Sequence, residues 1–363
     1  MLLHVEYLPS GLERFLQREN EAIMTPGLLR PSCDSPFHPL SPFKTCNDTN
    51  QSLKLNVTRN TFWARYTPNS NSIFRILTWF LLCIYPSCIR NSFIRSRLLA
   101  IAKYRFPLRY GNHNVSRLTY STVLKTGSAA QMQAEVDAMR FVAAHTTIPV
   151  PRVRHHWSEG SKGFTVMDYI PGAEARRVFA GLKPEQQQRI VGTLVGYVEQ
   201  LRSIPHPSPL KPWIGSASGG ALFEVGMAHS GLEEGWGPYA DLAAFNDARM
   251  ARLAQIDSPM GDRLRDYRHA MQDHLPIVFT HAAIHRGNVL LKQSPDGTQV
   301  DVVALLDWSS AGWRPIFWEG HRSDWLGRSF KGWLELGSRL YAGYKQDVDL
   351  ERNLLRIKLG VAP

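Results

Sequence analysis

The most regular hydrophobic pattern in the chain runs from residue 128 to residue 145. Its apolar residues recur at helical spacing on one face, and they are Met132, Val136, Met139 and Val142. Ser128 followed by Gln131 is typical of a capping box at a helix start, and Pro149 lies just beyond the end. The pattern predicts a helix over 128–145 with one buried stripe.

Strand patterns lie on both sides of this helix and return in the second half of the chain. Residues 119–125 (TYSTVLK) alternate, whereas 164–167 (FTVM) read as a buried strand. The other predicted strands are 277–280, 288–292 and 300–306, the last two joined by the turn sequence SPDG. Further helices are predicted at 93–104, at 184–203 and from about Trp318. The order predicts a strand-rich part followed by a mostly helical part with an embedded hairpin.

The first 92 residues differ from the rest and are predicted to form a poorly structured extension. Residues 31–72 are rich in Pro, Ser, Asn and Thr without periodicity. Residues 76–89 are uncharged and apolar, but a membrane-spanning helix needs about 20 such residues. A packed or interfacial segment is the favoured interpretation, and weak membrane contact through 76–104 is the alternative.

The net charge indicates which kinds of partner to expect, and the cysteine content indicates the redox state of the compartment. The net charge of +11 favours anionic partners, but no compact Lys/Arg block or nucleic-acid motif is present, so we expect no nucleic-acid partner. The four cysteines form no CxxC pair, which favours free thiols in a reducing compartment. No secretory leader is apparent at the N-terminus, and we therefore expect a cytoplasmic location.

Four polar positions in a fixed order suggest phosphoryl transfer. Lys125 ends a predicted strand, and Glu135 lies on the buried face of the next helix, where a carboxylate needs a partner such as Lys125. Asn288 and Asp307 fall on adjacent predicted strands and offer the oxygen ligands that Mg²⁺ prefers. A cation for phosphates and metal ligands are what a phosphotransferase requires.

The chain resembles the aminoglycoside phosphotransferase/choline kinase family, specifically its fungal branch, over about residues 105–345. The blocks that carry the resemblance are AMRFVAAHTTIPVPRV (138–153), VMDYIPG (166–172), YVEQLRSIP (197–205), FTHAAIHRGNVLL (279–291) and LLDWSSAGWRP (305–315). The resemblance implies an α+β, protein-kinase-like fold of two lobes. We expect a small sheet with one helix over 93–170, a hinge near 167–172 and a larger helical lobe over 171–363.

The same resemblance implies ATP and Mg²⁺ as cofactors and a small-molecule hydroxyl acceptor. Lys125 would contact the nucleotide phosphates with Glu135 holding it, while Asn288 and Asp307 would bind the metal. The remaining expected site residues are Met167 and Tyr169, in the connector that meets adenine through its backbone, and His281, which would stabilise the catalytic loop. The aromatic-rich insert at 212–253 would shape the acceptor pocket.

One position departs from the family pattern. The family has an aspartate five residues before the asparagine, and this chain has Ala283 there. The aspartate orients the acceptor hydroxyl, work worth roughly 10²–10⁴-fold in rate. His285 is a weak substitute candidate. Two functions stay open: an impaired small-molecule phosphotransferase, or a pseudokinase that binds Mg-nucleotide as a binding or regulatory module.

Overall fold

The computed structural model describes residues 90–105, 114–223, 235–256, 261–327 and 331–358. Most of the predicted extension, including the apolar run at 76–89, lies outside these residues, as does part of the predicted acceptor insert. No helix in the described ranges is long and apolar enough to cross a bilayer.

The first lobe is an antiparallel sheet of four strands with a helix on each side. The strands are β1 (Val115–Arg117), β2 (Thr122–Ser128), β3 (Val153–Glu159) and β4 (Lys162–Asp168), in the order β1-β2-β4-β3. Helix α1 (Ser92–Arg105) is fixed to the sheet by Arg95, which makes two hydrogen bonds to Glu159, at 2.6 and 2.8 Å. The Arg95 guanidinium also lies 4.3 Å from the centre of the Phe164 ring.

Helix α2 (Ala129–His145) follows β2 directly and matches the predicted helix apart from its first residue. Ser128 caps it by accepting the backbone N–H of Gln131 at 3.2 Å, as half of the expected capping box. All four residues of the predicted stripe are buried, and Glu135 on the same side is only 1% exposed. The stripe therefore carries a carboxylate into the interior.

The second lobe combines two small sheets with seven helices among its described residues. The sheets are β5 (Ala173–Glu174), β7 (Val289–Gln293) and β8 (Val300–Leu305), in the order β5-β7-β8, and the pair β6 (Ile277–Thr280) and β9 (Gly312–Pro315). The helices are α3 (Ala175–Val178), α4 (Pro184–Arg202), α5 (Leu242–Ile256), α6 (Gly261–Ala270), α7 (Trp318–Gly327), α8 (Lys331–Leu340) and α9 (Lys345–Lys358). The expected α+β fold, with a sheet lobe and a helical lobe, is confirmed.

One hydrophobic core runs through both lobes. It joins Met139 and Val142 of α2 to Leu194 and Val198 of α4 and to Phe279 of β6. Burying a side chain of this size contributes about 1.5–3 kcal/mol. The helix that carries Glu135 is therefore held in place by the core of the second lobe.

The first predicted strand was placed three residues too early. Thr119 folds the chain into a turn, because its Oγ1 accepts the backbone N–H groups of Ser121 and Thr122 at 3.1 Å each. Strand β2 begins at Thr122 and pairs with β4 through Ser128. Lys125 consequently lies in the middle of a strand, whereas the sequence placed it at an end.

The other predicted boundaries lie closer to the observed ones, and four observed strands were not predicted. The hairpin strands predicted at 288–292 and 300–306 are 289–293 and 300–305, and strand 277–280 and the helix after Pro184 are confirmed apart from end residues. Strand β3 was missed because VRHHWSE is mostly polar and buries only Trp157. The sequences of β1, β5 and β9 are two to four residues long, which is too short to show a period.

Candidate active site

Lys125 joins two carboxylates from different parts of the chain. Its ammonium donates to Oε1 of Glu135 and to Oδ1 of Asp307, at 2.7 Å in each case. The Glu135 side chain is almost completely buried and the Lys125 side chain largely so. The structure thus brings together three residues that the sequence had selected, one from β2, one from α2 and one from the segment just after β8.

The opposite charges of Lys125 and Asp307 stabilise each other, whereas burial raises the pKa of Glu135. Burial would lower the pKa of Lys125, but the adjacent charges of Asp307 and Glu135 outweigh burial and raise it. Burial would raise the pKa of Asp307, but the charge and hydrogen bond of Lys125 hold it well below its usual range. Lys125 is therefore cationic and Asp307 anionic at neutral pH.

Asp307 has a backbone conformation that is uncommon for a residue with a side chain. Its φ is 62°, in the left-handed region, and only Ala282 among the other described non-glycine residues shares that feature. Ser309, to which the sequence gave no role, donates its hydroxyl to Oδ1 of Asp307 at 2.8 Å. Lys125 and Ser309 both use Oδ1, so within the described residues Oδ2 is left for another ligand.

Asn288 lies beside Asp307 because their strands are paired. The backbone N–H of Leu306 donates to the carbonyl of Asn288 at 2.8 Å. The Asn288 amide donates to the carbonyl of Ala283 at 3.0 Å, which leaves its side-chain oxygen for a further contact.

This oxygen and Oδ2 of Asp307 suit Mg²⁺, which takes one or two protein oxygens and fills its shell with water and phosphate. The described residues contain no group of three or more His, Cys, Asp or Glu side chains placed to hold a metal.

His281 is a fully buried part of the loop scaffold. Its Nδ1 accepts the backbone N–H of Ala283 at 3.2 Å, and its Nε2 donates to the carbonyl of Leu306 at 3.0 Å. Burial lowers the pKa of His281 to about 4, so the ring is neutral near pH 7. Both ring nitrogens are occupied, which supports the structural role expected for it.

Ala283 is held in the loop from both sides. Its N–H donates to His281 and its carbonyl accepts from Asn288. The residue is half-buried, and its methyl group offers nothing that accepts a proton. The backbone of the expected base position is therefore ordered by hydrogen bonds, while its side chain lacks acid–base chemistry.

His285 is poorly suited to replace the missing base. Its Nδ1 accepts the backbone N–H of Gly287 at 3.0 Å, so the proton of the neutral ring is on Nε2. Burial lowers the pKa of His285 to about 4, and the nearby charges of Arg176, Arg322 and Arg286 act in the same direction. In this arrangement the ring has no lone pair available for a substrate proton.

Glu319 supports the loop, and the sequence did not single it out. Its Oε2 accepts the backbone N–H groups of His281 at 2.6 Å and Ala282 at 2.8 Å. Ala282 has a φ of 60°, and Arg322 donates to its carbonyl at 3.3 Å. Burial raises the pKa of Glu319. An acidic residue in the first turn of α7 was the only sequence signal, because a role in binding backbone has no local pattern.

The connector near Met167 and Tyr169 is engaged with the sheet. Met167 is buried and pairs with Val123 on one side and Val153 on the other. The backbone N–H of Tyr169 donates to Ser121, and that of Asp168 donates to the carbonyl of residue 152. Any backbone contact from positions 168 and 169 to adenine would therefore come from their carbonyls. The adenine role stays a prediction.

More than half of the chain matches the model of one known protein family. The model of the phosphotransferase enzyme family, APH, matches residues 106–320, more than half of the 363-residue chain. The chain belongs to this family. The matched segment of this phosphotransferase family member contains Lys125, Glu135, Asn288, Asp307 and Glu319. Comparison with curated proteins found no significant match.

Solved structures with distant similarity include three aminoglycoside phosphotransferases. A thermostable mutant of APH(4)-Ia, in a ternary complex with ADP and hygromycin B, has 17% identity and a TM-score of 0.46, covering 72% of this chain and 88% of that one. The gentamicin complex of APH(2'')-IIa has 12% identity and a TM-score of 0.45, covering 67% and 78%. APH(3'')-Id from Streptomyces rimosus ATCC10970, with ADP and streptomycin, has 16% identity and a TM-score of 0.40, covering 78% and 97%.

Proposed function

We propose that this family member is a phosphotransferase that uses Mg²⁺-ATP to phosphorylate a small-molecule acceptor. The observation that carries the proposal is the placement of Lys125 between Glu135 and Asp307. A lysine fixed in this way presents a localised positive charge to the nucleotide phosphates. Bound Mg²⁺ would neutralise charge that develops on the transferring phosphoryl group.

Each residue of the site contributes positioning or charge. Glu135 orients Lys125, and Asp307 and Asn288 would hold the metal through oxygens that make no hydrogen bond within the described residues. Asn288 also binds the carbonyl of Ala283 and so couples the metal site to the loop. These electrostatic contributions do not depend on a general base.

Transfer to a neutral hydroxyl is the weak step of this proposal. Ala283 removes the group that would orient the hydroxyl and take its proton, a loss of roughly 10²–10⁴-fold. The occupied ring nitrogen of His285 favours a second candidate function, a pseudokinase that binds Mg-nucleotide and acts as a binding or regulatory module.

Comparison of two lysine variants tests the proposal. Lys125→Met should abolish ADP formation from Mg-ATP and weaken ATP binding by roughly tenfold or more, because the phosphates lose a charge-assisted partner. Lys162→Met removes an exposed lysine from the neighbouring strand and should behave as wild type. Unchanged ATP binding and turnover in Lys125→Met would refute the site. Tight Mg-ATP binding without ADP formation from any acceptor would favour the pseudokinase.

A further inference from the structure

The outward face of helix α1 exposes apolar side chains next to arginines. Phe93 and Ile94 are 66% and 37% exposed, and the other large hydrophobic side chain that is exposed among the described residues is Leu210, in the second lobe. Arg97 lies one turn after Phe93 on the same face of the helix, with its guanidinium 5.2 Å from the centre of the Phe93 ring. The first turns of α1 therefore present apolar and cationic side chains to solvent.

The opposite face of α1 holds the helix against the sheet of the first lobe. Arg95 pairs with Glu159, and Leu99 packs against a cluster that contains Leu124 and Phe164. Arg95 and Leu99 are four residues apart and so share one side of the helix. Turning the exposed side chains inward would break these contacts, so the fold fixes their exposure.

The outward face of α1 lies on the far side of the sheet from the candidate active site. Leu124 of β2 packs on the side of the sheet that α1 covers. Successive residues of a strand point to opposite faces of a sheet, so Lys125 points to the other side, where it binds Glu135 of α2. A partner on the outward face of α1 would therefore leave Lys125 uncovered.

The charge of this helix indicates what kind of partner it fits. Residues 90–105 contain five arginine and lysine residues and no acidic residue, in a chain whose net charge is +11. Arg90 and Arg97 are exposed, and neither forms an ion pair within the described residues; Arg90 donates to a ring nitrogen of His155 at 3.3 Å. The surface is cationic as well as apolar, so a complementary partner is anionic and has an apolar layer that accepts aromatic and aliphatic side chains.

We propose that the outward face of α1 docks on a bilayer that contains anionic lipids. Arg90 and Arg97 bind the lipid headgroups, while Phe93 and Ile94 enter the boundary between headgroups and acyl chains. The sequence favours a bilayer over an acidic protein, because the uncharged, apolar residues 76–89 end directly before Arg90 and so adjoin the cationic residues along the chain. Docking is additional to the proposed phosphotransferase function and does not depend on it.

Vesicle flotation with the full-length chain tests the docking. The chain would be mixed with vesicles of phosphatidylcholine alone and with vesicles that also contain phosphatidylserine. We expect binding at least roughly tenfold tighter to the anionic vesicles, because several cations of one helix act together at the surface. High salt should weaken this binding, because it screens the attraction between the arginines and the headgroups.

Paired substitutions separate the contribution of charge from that of apolar contact. Replacing Arg90 and Arg97 together by glutamine should weaken binding to anionic vesicles by roughly tenfold or more, because two cations leave the surface. Replacing Phe93 and Ile94 together by serine should weaken it by a similar factor, because less apolar surface enters the bilayer. All four side chains are exposed, so thermal stability and Mg-ATP affinity should stay as in the wild type.

Matched controls and three contrary outcomes decide the result. Arg189→Gln and Leu210→Ser remove an exposed arginine and an exposed hydrophobic side chain from the second lobe, and both should bind vesicles as the wild type does. Docking through α1 is overturned if the chain fails to float with anionic vesicles, or if it floats equally with neutral ones. It is also overturned if both paired variants of α1 bind anionic vesicles as tightly as the wild type.

Discussion

Replacing Ala283 by aspartate measures how much of the hydroxyl-transfer machinery is intact. The backbone at this position is fixed by the bond of its N–H to His281 and of its carbonyl to Asn288, and both bonds survive the substitution. The position is only half-buried, so a longer side chain is not forced into the core. The new carboxylate would follow Ala282, whose carbonyl accepts from Arg322 at 3.3 Å, and a nearby cation limits the cost of adding a charge.

The expected gain follows from general base catalysis. A positioned carboxylate should raise transfer to alcohol acceptors by roughly 10²-fold or more, equivalent to about 2.7 kcal/mol of barrier.

The assay compares three forms of the chain under single-turnover conditions with a panel of alcohols. Ala283→Asn is the matched control, since asparagine has nearly the same shape as aspartate but cannot take a proton. Only Ala283→Asp should accelerate transfer to alcohols. Equal, measurable transfer to alcohols by the wild type and Ala283→Asp would refute the reasoning, and loss of activity in His285→Ala would then identify His285 as the base.

Three further predictions concern the scaffold of the site. Glu319→Ala leaves two buried N–H groups without an acceptor, and each costs roughly 1–3 kcal/mol of stability. Turnover should therefore fall more than ATP affinity, and an equal loss of turnover in the control Glu335→Ala would contradict this. Because the folded-state pKa of His281 is about 4, below the value of about 6.5 in the unfolded chain, protons favour unfolding across this interval, and His281 should lower the free energy of unfolding by roughly 3 kcal/mol between pH 6.5 and 4, with a similar contribution from His285. Urea titrations would measure the fall, and a flat profile would contradict the burial of both rings. Deleting residues 1–92 should leave a protein that melts cooperatively, because α1 keeps the hydrogen bonds of Arg95 to Glu159. Loss of cooperative melting would show that the domain boundary lies elsewhere.

The sequence predicted those parts of the site that depend on local periodicity. The helical stripe from Met132 to Val142 placed Glu135 on the buried face, and a buried carboxylate required a partner, so the contact with Lys125 followed from the pattern. The hairpin pattern also placed Asn288 and Asp307 on adjacent strands.

Other features depend on contacts between distant segments and could not be read from the pattern. Glu319 acts on backbone N–H groups 37 and 38 residues earlier in the chain. Arg176 and Arg322 reach the same loop from different helices, and neither lies in a motif. The early start assigned to β2 arose because Thr119 forms a turn with its own side chain, which alternation of apolar residues does not reveal.

The dependence of ATP affinity on Mg²⁺ tests the central claim most directly, that the phosphate and metal site is complete although the base is absent. Calorimetric titration of the full-length chain should show ATP binding at least roughly tenfold tighter with Mg²⁺ than without it, because Asp307 and Asn288 would hold the metal and the metal would offset the charge of the phosphates. Asp307→Asn keeps the pairing of Lys125 with Glu135 and should abolish the Mg²⁺ dependence in a folded protein. ATP affinity that is independent of Mg²⁺, or unchanged in Asp307→Asn, would contradict the account.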